Sequence, residues 1–495
     1  MSGPALPLAA RPALRLQTQA FVLAAILLLA AILRLHHLGT TSLWTDELFT
    51  QFYAKTGLRF LWTEGLRLEP TPPLYYTLIA LWERIAGDSA FALRLPSLVA
   101  SLITLALTAA LGRELFARKL STTVGTLLLA LAPTSLYYAQ EARSYALQGA
   151  AIALALLGFA RFLRTRTLGD LAIYGAGAAL AVYLHPTSVL AVAACNGAAL
   201  ISTFGSSRLL DRPALLRWIA ANALVTLVCL PLLPIFISPL ASAGSTWVAP
   251  LSRWSLENTF GQTLAGTTFT ADAMLIAEIG GAALAGLLLV PPWRPGRRAS
   301  AVLLIVPALF LLLMIGFSLK KPLILTRTLA WLLVPLSLVL GDVLIRRTKL
   351  LAAAMLAAAS VGAAMHLANV DALKEDWHGF LAGLPGLAPP ALVVLAPHTS
   401  PAALAVYAPG AGPPVRLSDN GPPVVETTVI PAMLGTRTID LAEMQAAIAA
   451  GRPVWLIYRR PEWEWVRPLL AGLPPPRLEM QAGEGPNPPM RAVRW

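Results

Sequence analysis

The stretch AFVLAAILLLAAILRLHHLGTTSLWTDELFT, residues 20–50, decides how the rest of the chain is read. Ala20 to Leu35 is an apolar run close to the length a helix needs to cross the hydrocarbon core of a bilayer. A His-His-Leu-Gly turn ends it, and the paired carboxylates Asp46 and Glu47 follow between Trp44 and Phe49. Arg11 and Arg15 upstream give the layout of a signal peptide. No small-residue cleavage site follows the apolar core, however, so an uncleaved first transmembrane helix is expected.

Composition extends that reading to most of the chain. Of the 495 residues, 57% are hydrophobic and 13% charged, with a mean hydropathy of +0.67. A soluble protein carries about 25% charged residues, so this is an integral membrane protein. Segments of spanning length recur at roughly 19–36, 91–112, 120–138, 142–161, 169–185, 187–204, 214–237, 271–291, 299–319, 323–344 and 350–368. The net charge of +13 does not point to nucleic acid, because Lys and Arg fall in short clusters between these segments. Arg113/Arg118/Lys119, Arg161/Arg164/Arg166, Arg208/Arg212/Arg217, Arg294/Arg297/Arg298 and Arg346/Arg347/Lys349 occupy alternate connections. The positive-inside rule makes those connections cytoplasmic. Residues 37–90 and everything after about 369 then face outward, in a multi-pass protein expected in a bacterial inner (cytoplasmic) membrane. Cys195 and Cys229 lie in apolar runs and imply neither a disulfide nor a thiolate metal site.

The expected fold is a polytopic α-helical membrane domain over 1–369, with about eleven spans, followed by a small α/β domain over 370–495. Within the first outer loop, Asp46 to Ala54 and Pro72 to Ile85 carry apolar and aromatic residues at helical spacing. They are read as amphipathic interfacial helices, with a re-entrant excursion of Pro72 to Ala86 as the alternative. In the terminal domain ALVVLAP (391–397) and PVWLIY (453–458) read as buried strands and LAEMQAAIAA (441–450) as a helix. This domain is expected to cap or position a substrate.

Polar residues collect on the outer face. Asp46 and Glu47 could be a solvated helix end, but they sit between aromatics, and a third acid, Glu69, shares their loop. Glu69 stands in LEPTPPLYYTL, where the prolines suit a helix start and also a rigidly held carboxylate followed by Tyr75 and Tyr76. In LAPTSLYYAQEARSYAL (131–147), Tyr137 and Tyr138 precede a turn, and Glu141, Arg143 and Tyr145 lead back into the membrane. Arg143 either pairs with Glu141 or offers its planar fork to a phosphate. His185 marks the next outer turn, as a polar turn residue or a ligand. Lys320 and Lys321 place positive charge outside, against the orientation rule, with Arg327 at the next entry. Such cations at headgroup depth suit a lipid phosphate. Carboxylates that activate a nucleophile, opposite cations that stabilise a leaving phosphate, suit transfer from a lipid phosphate donor.

In this order the motifs resemble the polyprenyl-phosphate-dependent GT-C glycosyltransferases of the glycosyltransferase family 39 type. That group includes protein O-mannosyltransferases, the aminoarabinose transferase of lipid A and rhizobial galacturonosyltransferases. LWTDELFT is similar to the family's first-loop Asp-Glu signature and EPTPPLYY to its acid-x-x-Pro-Pro-Leu-Tyr-Tyr element. SLYYAQEARSYAL is similar to its Glu-x-Arg-x-Tyr re-entry, LHPTS to its His turn and LTRTLAWLLVPL to its Arg-Tyr-Leu stretch. Thr71 stands where many members have His or Lys, and Thr328 where Tyr is usual.

The resemblance covers residues 20–370 and implies inverting sugar transfer from a polyprenyl-phosphate donor to an extracytoplasmic acceptor: a glycolipid, lipopolysaccharide, polysaccharide or protein. It implies Asp46 as general base, with Glu47 and Glu69 orienting the acceptor or a divalent metal ion (Mg, Mn or Zn). Arg143, Lys320, Lys321 and Arg327 would hold the phosphate, and Tyr75, Tyr76, Tyr138, Tyr145 and His185 would line the sugar and lipid site. The alternative is a polyprenyl-linked lipid or sugar transporter, which would favour acids or broken helices near the bilayer midplane.

Overall fold

The computed structural model describes residues 10–203, 210–238, 248–266, 302–418, 428–459, 462–482 and 490–495. Among them, six helices are long and apolar enough to cross a membrane, or seven counting one bent pair. They are α1 (Ala10–Leu35), α4 (Ala90–Leu115), α7 (Tyr145–Thr165), α10 (Arg212–Ile237), α12 (Thr326–Arg347) and α13 (Lys349–Ala368). The bent pair is α5 (Lys119–Leu131) with α6 (Pro133–Ala139), at 59°. Three shorter apolar helices complete the set: α8 (Leu168–Leu184), α9 (Ser188–Ile201) and α11 (Val302–Ser318). Each corresponds to an expected span; the segment at 271–291 lies outside the described residues.

Local sequence explains the features that matter for the outer face. Pro133 cannot continue the hydrogen-bond ladder of α5, so the chain turns there, and α6 carries Tyr137 and Tyr138 sideways. At Gly158 of α7 a Cβ would stand 2.3 Å from the Tyr174 amide nitrogen of α8, and at Gly177 one would stand 2.4 Å from that of Ala155. Missing side chains let the two backbones touch, as small residues do in membrane bundles. The first outer loop holds the two expected amphipathic helices, α2 (Thr45–Ala54) and α3 (Leu74–Ala86), with short turns at Leu58–Leu61 and Gly65–Leu68 between them.

After α13 the chain forms an α/β unit whose described strands make one six-stranded sheet in the order β3-β2-β1-β4-β6-β5. The strands are β1 (Leu392–Leu395), β2 (Val415–Leu417), β3 (Arg437–Ile439), β4 (Val454–Arg459), β5 (Leu478–Ala482) and β6 (Met490–Arg494). β1 pairs in parallel with β4 (Leu392 opposite Val454) and with β2, and β6 runs antiparallel to β4. β1 is buried throughout and β4 from Val454 to Tyr458, which explains their unbroken apolar sequences: both faces of a parallel sheet are covered. The expected helix at 441–450 is Leu441–Ala449.

Candidate active site

The first turn of α2 separates the two adjacent carboxylates, because successive helical side chains point about 100° apart. Glu47 turns inward and is fully buried. Its Oε1 accepts from Arg94 Nε at 2.8 Å, the Ala142 amide at 2.8 Å and Lys374 Nζ at 3.2 Å; its Oε2 accepts from Arg94 Nη2 at 2.6 Å. Burial alone would raise its pKa, but Arg94 and Lys374 outweigh it and hold the carboxyl at about 2. Arg94 also donates to the carbonyls of Leu38, Thr41 and Ser42, and so pins the loop leading into α2. The resemblance gives Glu47 an acceptor or a metal; the structure gives it Arg94, Lys374 and the Ala142 amide. With both oxygens occupied inside the protein, it anchors the turn that carries its neighbour.

Asp46 points the other way, with about a quarter of its side chain exposed. Its Oδ2 accepts from Arg327 Nη1 at 3.0 Å, and the same nitrogen reaches the Tyr145 hydroxyl at 3.0 Å. Arg143 donates to the Asp46 carbonyl and to Thr50 Oγ1, both at 3.4 Å, and lies over the rings of Phe49 and Tyr145. Burial pushes the Asp46 carboxyl up, yet Arg143, Arg327 and Arg459 together hold it below its ordinary value. Tyr138 packs edge-on against Tyr145, which in turn contacts His185. Burial, with Arg327 and Arg143 nearby, drops His185 to about 3, so its ring is neutral and its Nδ1 pairs with Thr187 Oγ1.

The remaining candidates divide. Glu69 is buried beside this cluster, its Oε1 accepting from the Thr71 amide at 3.2 Å and the Tyr76 hydroxyl at 3.3 Å. Tyr75 and Tyr76 are buried in the aromatic group around Phe49 and Tyr53. Lys320 and Lys321 lie in the turn after α11, where both amides bond to the Phe317 carbonyl. Among the described residues, neither lysine side chain is tied to the Asp46 cluster by a hydrogen bond or ion pair. Nor do three or more His, Cys, Asp or Glu side chains converge as metal ligands among the described residues. Asp46 and Glu47 meet cations instead, while Glu69 meets the Thr71 amide and the Tyr76 hydroxyl.

Sequence reasoning missed Arg94, although a cation at the outer end of an apolar segment is the signal that singled out Arg143. It also missed Lys374, Glu375 and Arg459, whose roles depend on contacts between residues 84 to 330 positions apart. Glu141 is buried with both carboxylate oxygens unpaired. Burial, partly offset by Lys374, raises it to about 7.

Residues 70–235 match the family described as dolichyl-phosphate-mannose-protein mannosyltransferase. No curated protein matches the chain by sequence. Among solved structures, ArnT from Cupriavidus metallidurans in the apo state is similar at a TM-score of 0.58 and 12% identity, covering 96% of this chain and 97% of that one. The same protein bound to undecaprenyl phosphate gives 0.56 at 12% identity, with the same coverage. The chain thus carries the pattern of the mannosyltransferase family over residues 70–235, and over nearly its whole length it has the fold of ArnT.

Proposed function

We propose that this protein transfers a sugar from a polyprenyl-phosphate donor to an acceptor outside the cytoplasm, with inversion at the anomeric carbon. The observation that carries the proposal is the meeting of Asp46 with Arg327 and Arg143 in one partly open, tyrosine-walled cluster. Arg143 and Arg327 hold the donor phosphate; Arg presents the flat fork that matches its oxygens. An acceptor hydroxyl or amine attacks the anomeric carbon from the opposite face. The bond from that carbon to the phosphate oxygen breaks, polyprenyl phosphate leaves as the anion, and the acceptor proton passes to Asp46.

The resting salt bridge has a consequence for the base. A phosphate entering between the arginines takes up charge they otherwise direct at Asp46, so the carboxylate becomes more basic once donor is bound. Glu47 and Arg94 hold the turn in place, and Glu69 with Tyr76 borders the site. Beside it an apolar groove of about 800 Å³ runs between α3, α4, α7 and α8, lined by residues such as Leu74, Val99, Leu147 and Leu184. Its chemistry suits an isoprenoid chain.

The basic inner connections support an outward-facing site, which in this reading lies in a bacterial cytoplasmic membrane and faces the periplasm. The test is transfer of radiolabelled sugar from polyprenyl-phosphate donors, supplied with acceptor-containing envelope extract, by the purified protein. Covalent label on the acceptor supports the reading. Label that crosses a vesicle bilayer but stays on the polyprenyl phosphate replaces it with lipid transport.

A further inference from the structure

The carboxyl edge of the C-terminal sheet faces the membrane domain at a particular place. In the order β3-β2-β1-β4 the chain builds outward from β1 in one direction and returns to pair β4 on the other side. The ends of β1 and β4 therefore flank the point where open α/β sheets form their ligand crevices. The Glu462 carboxylate ties the two ends together, accepting from the His398 amide at 2.8 Å and the Arg459 amide at 3.1 Å, and from the Thr399 hydroxyl. Arg459 is the last residue of β4, and this tie fixes where its side chain begins.

From there a short relay reaches α2. Arg459 Nε donates to Glu375 Oε1 at 2.7 Å. Glu375 Oε2 accepts from the Thr45 amide at 3.1 Å, from the Thr45 hydroxyl and from Trp377 Nε1 at 2.9 Å. Thr45 opens α2, so Glu375 satisfies a donor that the helix start would otherwise leave without a partner, and its charge complements the helix dipole. Asp46 is the next residue. Two neighbouring contacts hold the same loop: Ser42 Oγ donates to the Glu375 carbonyl at 3.1 Å, and the Leu43 amide to the Tyr407 hydroxyl at 2.7 Å. Glu375 is almost fully buried and Arg459 largely so.

We propose that the C-terminal domain completes the active site: Arg459 acts through Glu375 to hold the first turn of α2, and with it Asp46, in register with Arg143 and Arg327. Arg459 is a positioning residue in this scheme, and the proposal rests on the reading of Asp46 as the base. A plain interdomain tie would need the Glu375 contacts but would place no demand on charge at Asp46. The structure adds that demand, because Arg459 acts on the Asp46 carboxyl from the domain side while Arg143 and Arg327 act from the membrane side. The other groups facing Asp46 are Tyr138 from α6, Glu141 from the turn before α7, and Tyr145, which it shares with Arg327. Glu47 lies beside it on α2. Arg459 is thus a cation through which the outer domain can influence the base directly, while Lys374 of the same domain pairs with the neighbouring Glu47.

The test compares full-length Arg459→Gln, Arg459→Lys and Glu375→Gln with wild type and with Arg437→Gln, a surface variant of the same domain. Two measurements are made on each purified protein, together with its melting temperature. The first is the pH at which Asp46 becomes reactive to a water-soluble carbodiimide, which labels protonated carboxyls, followed by peptide mass spectrometry. The second is kcat, KM and the acid limb of the kcat profile for sugar transfer.

Arg459→Gln is expected to move the Asp46 labelling midpoint to higher pH by about one pH unit and the acid limb with it. It should lower kcat about 10–100-fold through misplacement, with donor KM little changed. Arg459→Lys should restore the labelling midpoint. Glu375→Gln should lower kcat as Arg459→Gln does, because it breaks the relay at its centre. An unshifted midpoint with normal kcat in Arg459→Gln overturns the proposal, as does a loss of kcat that only follows melting temperature. The labelling needs no turnover. A wild type that transfers no sugar would refute the transferase reading while the midpoint still decides the role of Arg459.

Discussion

Glu47 and Arg94 form a two-pronged ion pair sealed inside the protein, Nε and Nη2 reaching the two carboxylate oxygens at 2.8 and 2.6 Å with exposures of 0% and 1%. Lys374 adds a third charge from beyond the last span, and its Nζ also donates to the Gln140 carbonyl. Removing one member leaves the others buried without compensation, which costs about 3–5 kcal/mol. Glu47→Gln should therefore lower the melting temperature of the detergent-solubilised protein sharply. Asp46→Asn, one residue away but partly exposed, should leave it nearly unchanged. Equal melting of the two variants would remove the anchoring role of Glu47.

Asp46→Asn preserves shape but cannot accept the acceptor proton. Transfer should fall about 10²–10⁴-fold. Binding of polyprenyl phosphate, followed by intrinsic fluorescence, should persist because the arginines remain. Near-normal turnover would exclude Asp46 as the base.

The phosphate site distinguishes the two arginines from the two lysines. Arg143→Lys or Arg327→Lys keeps the charge but not the fork, and should raise donor KM about tenfold or more, the usual consequence of losing at least 1.4 kcal/mol of binding. Lys320→Gln with Lys321→Gln should change it far less, since among the described residues neither side chain is hydrogen-bonded or ion-paired to the Asp46 cluster. Donor titrations on the three variants decide, and a larger effect from the lysine pair would move the phosphate site to the α11–α12 turn.

Glu141 gives a pH signature of its own. Its pKa is raised by burial from an ordinary 4.5 to about 7, so the folded state binds more protons than the unfolded one between those values. Stability therefore declines as pH rises through that window and stays reduced above it. Glu141→Gln should remove the decline, recovering on the order of 1–3 kcal/mol at pH 8 and little at pH 4. Melting curves at the two pH values check this, and a variant less stable than wild type at pH 8 would contradict it.

Orientation is tested by single cysteines introduced after Cys195 and Cys229 are replaced. Positions 118 and 165 should be shielded from an impermeant maleimide in intact cells, and position 55 should be labelled. Labelling at 165 would invert the outer face.

The spans and the outer helices were legible in the sequence because a bilayer imposes its demands locally. Each crossing must be apolar over a fixed length and satisfy its own backbone, and loop charge is read loop by loop. The cluster of Asp46, Arg143, Tyr145, His185 and Arg327 was legible too, since each lies at the outer end of a recognisable segment. Ends on the same face of a compact bundle are brought near one another.

The sequence could not separate Asp46 from Glu47, which are equal as neighbours in a string. Their division of labour comes from the helical step between them and from Arg94 and Lys374 on one side only. Nor could it show which of the outer cations the fold ties directly to Asp46. The links from Arg459 through Glu375 to Thr45 span more than 300 positions and leave no local pattern. Only the packing of the outer domain onto the bundle brings them together, because a buried charge is satisfied by whatever the fold places beside it, not by its neighbours in sequence.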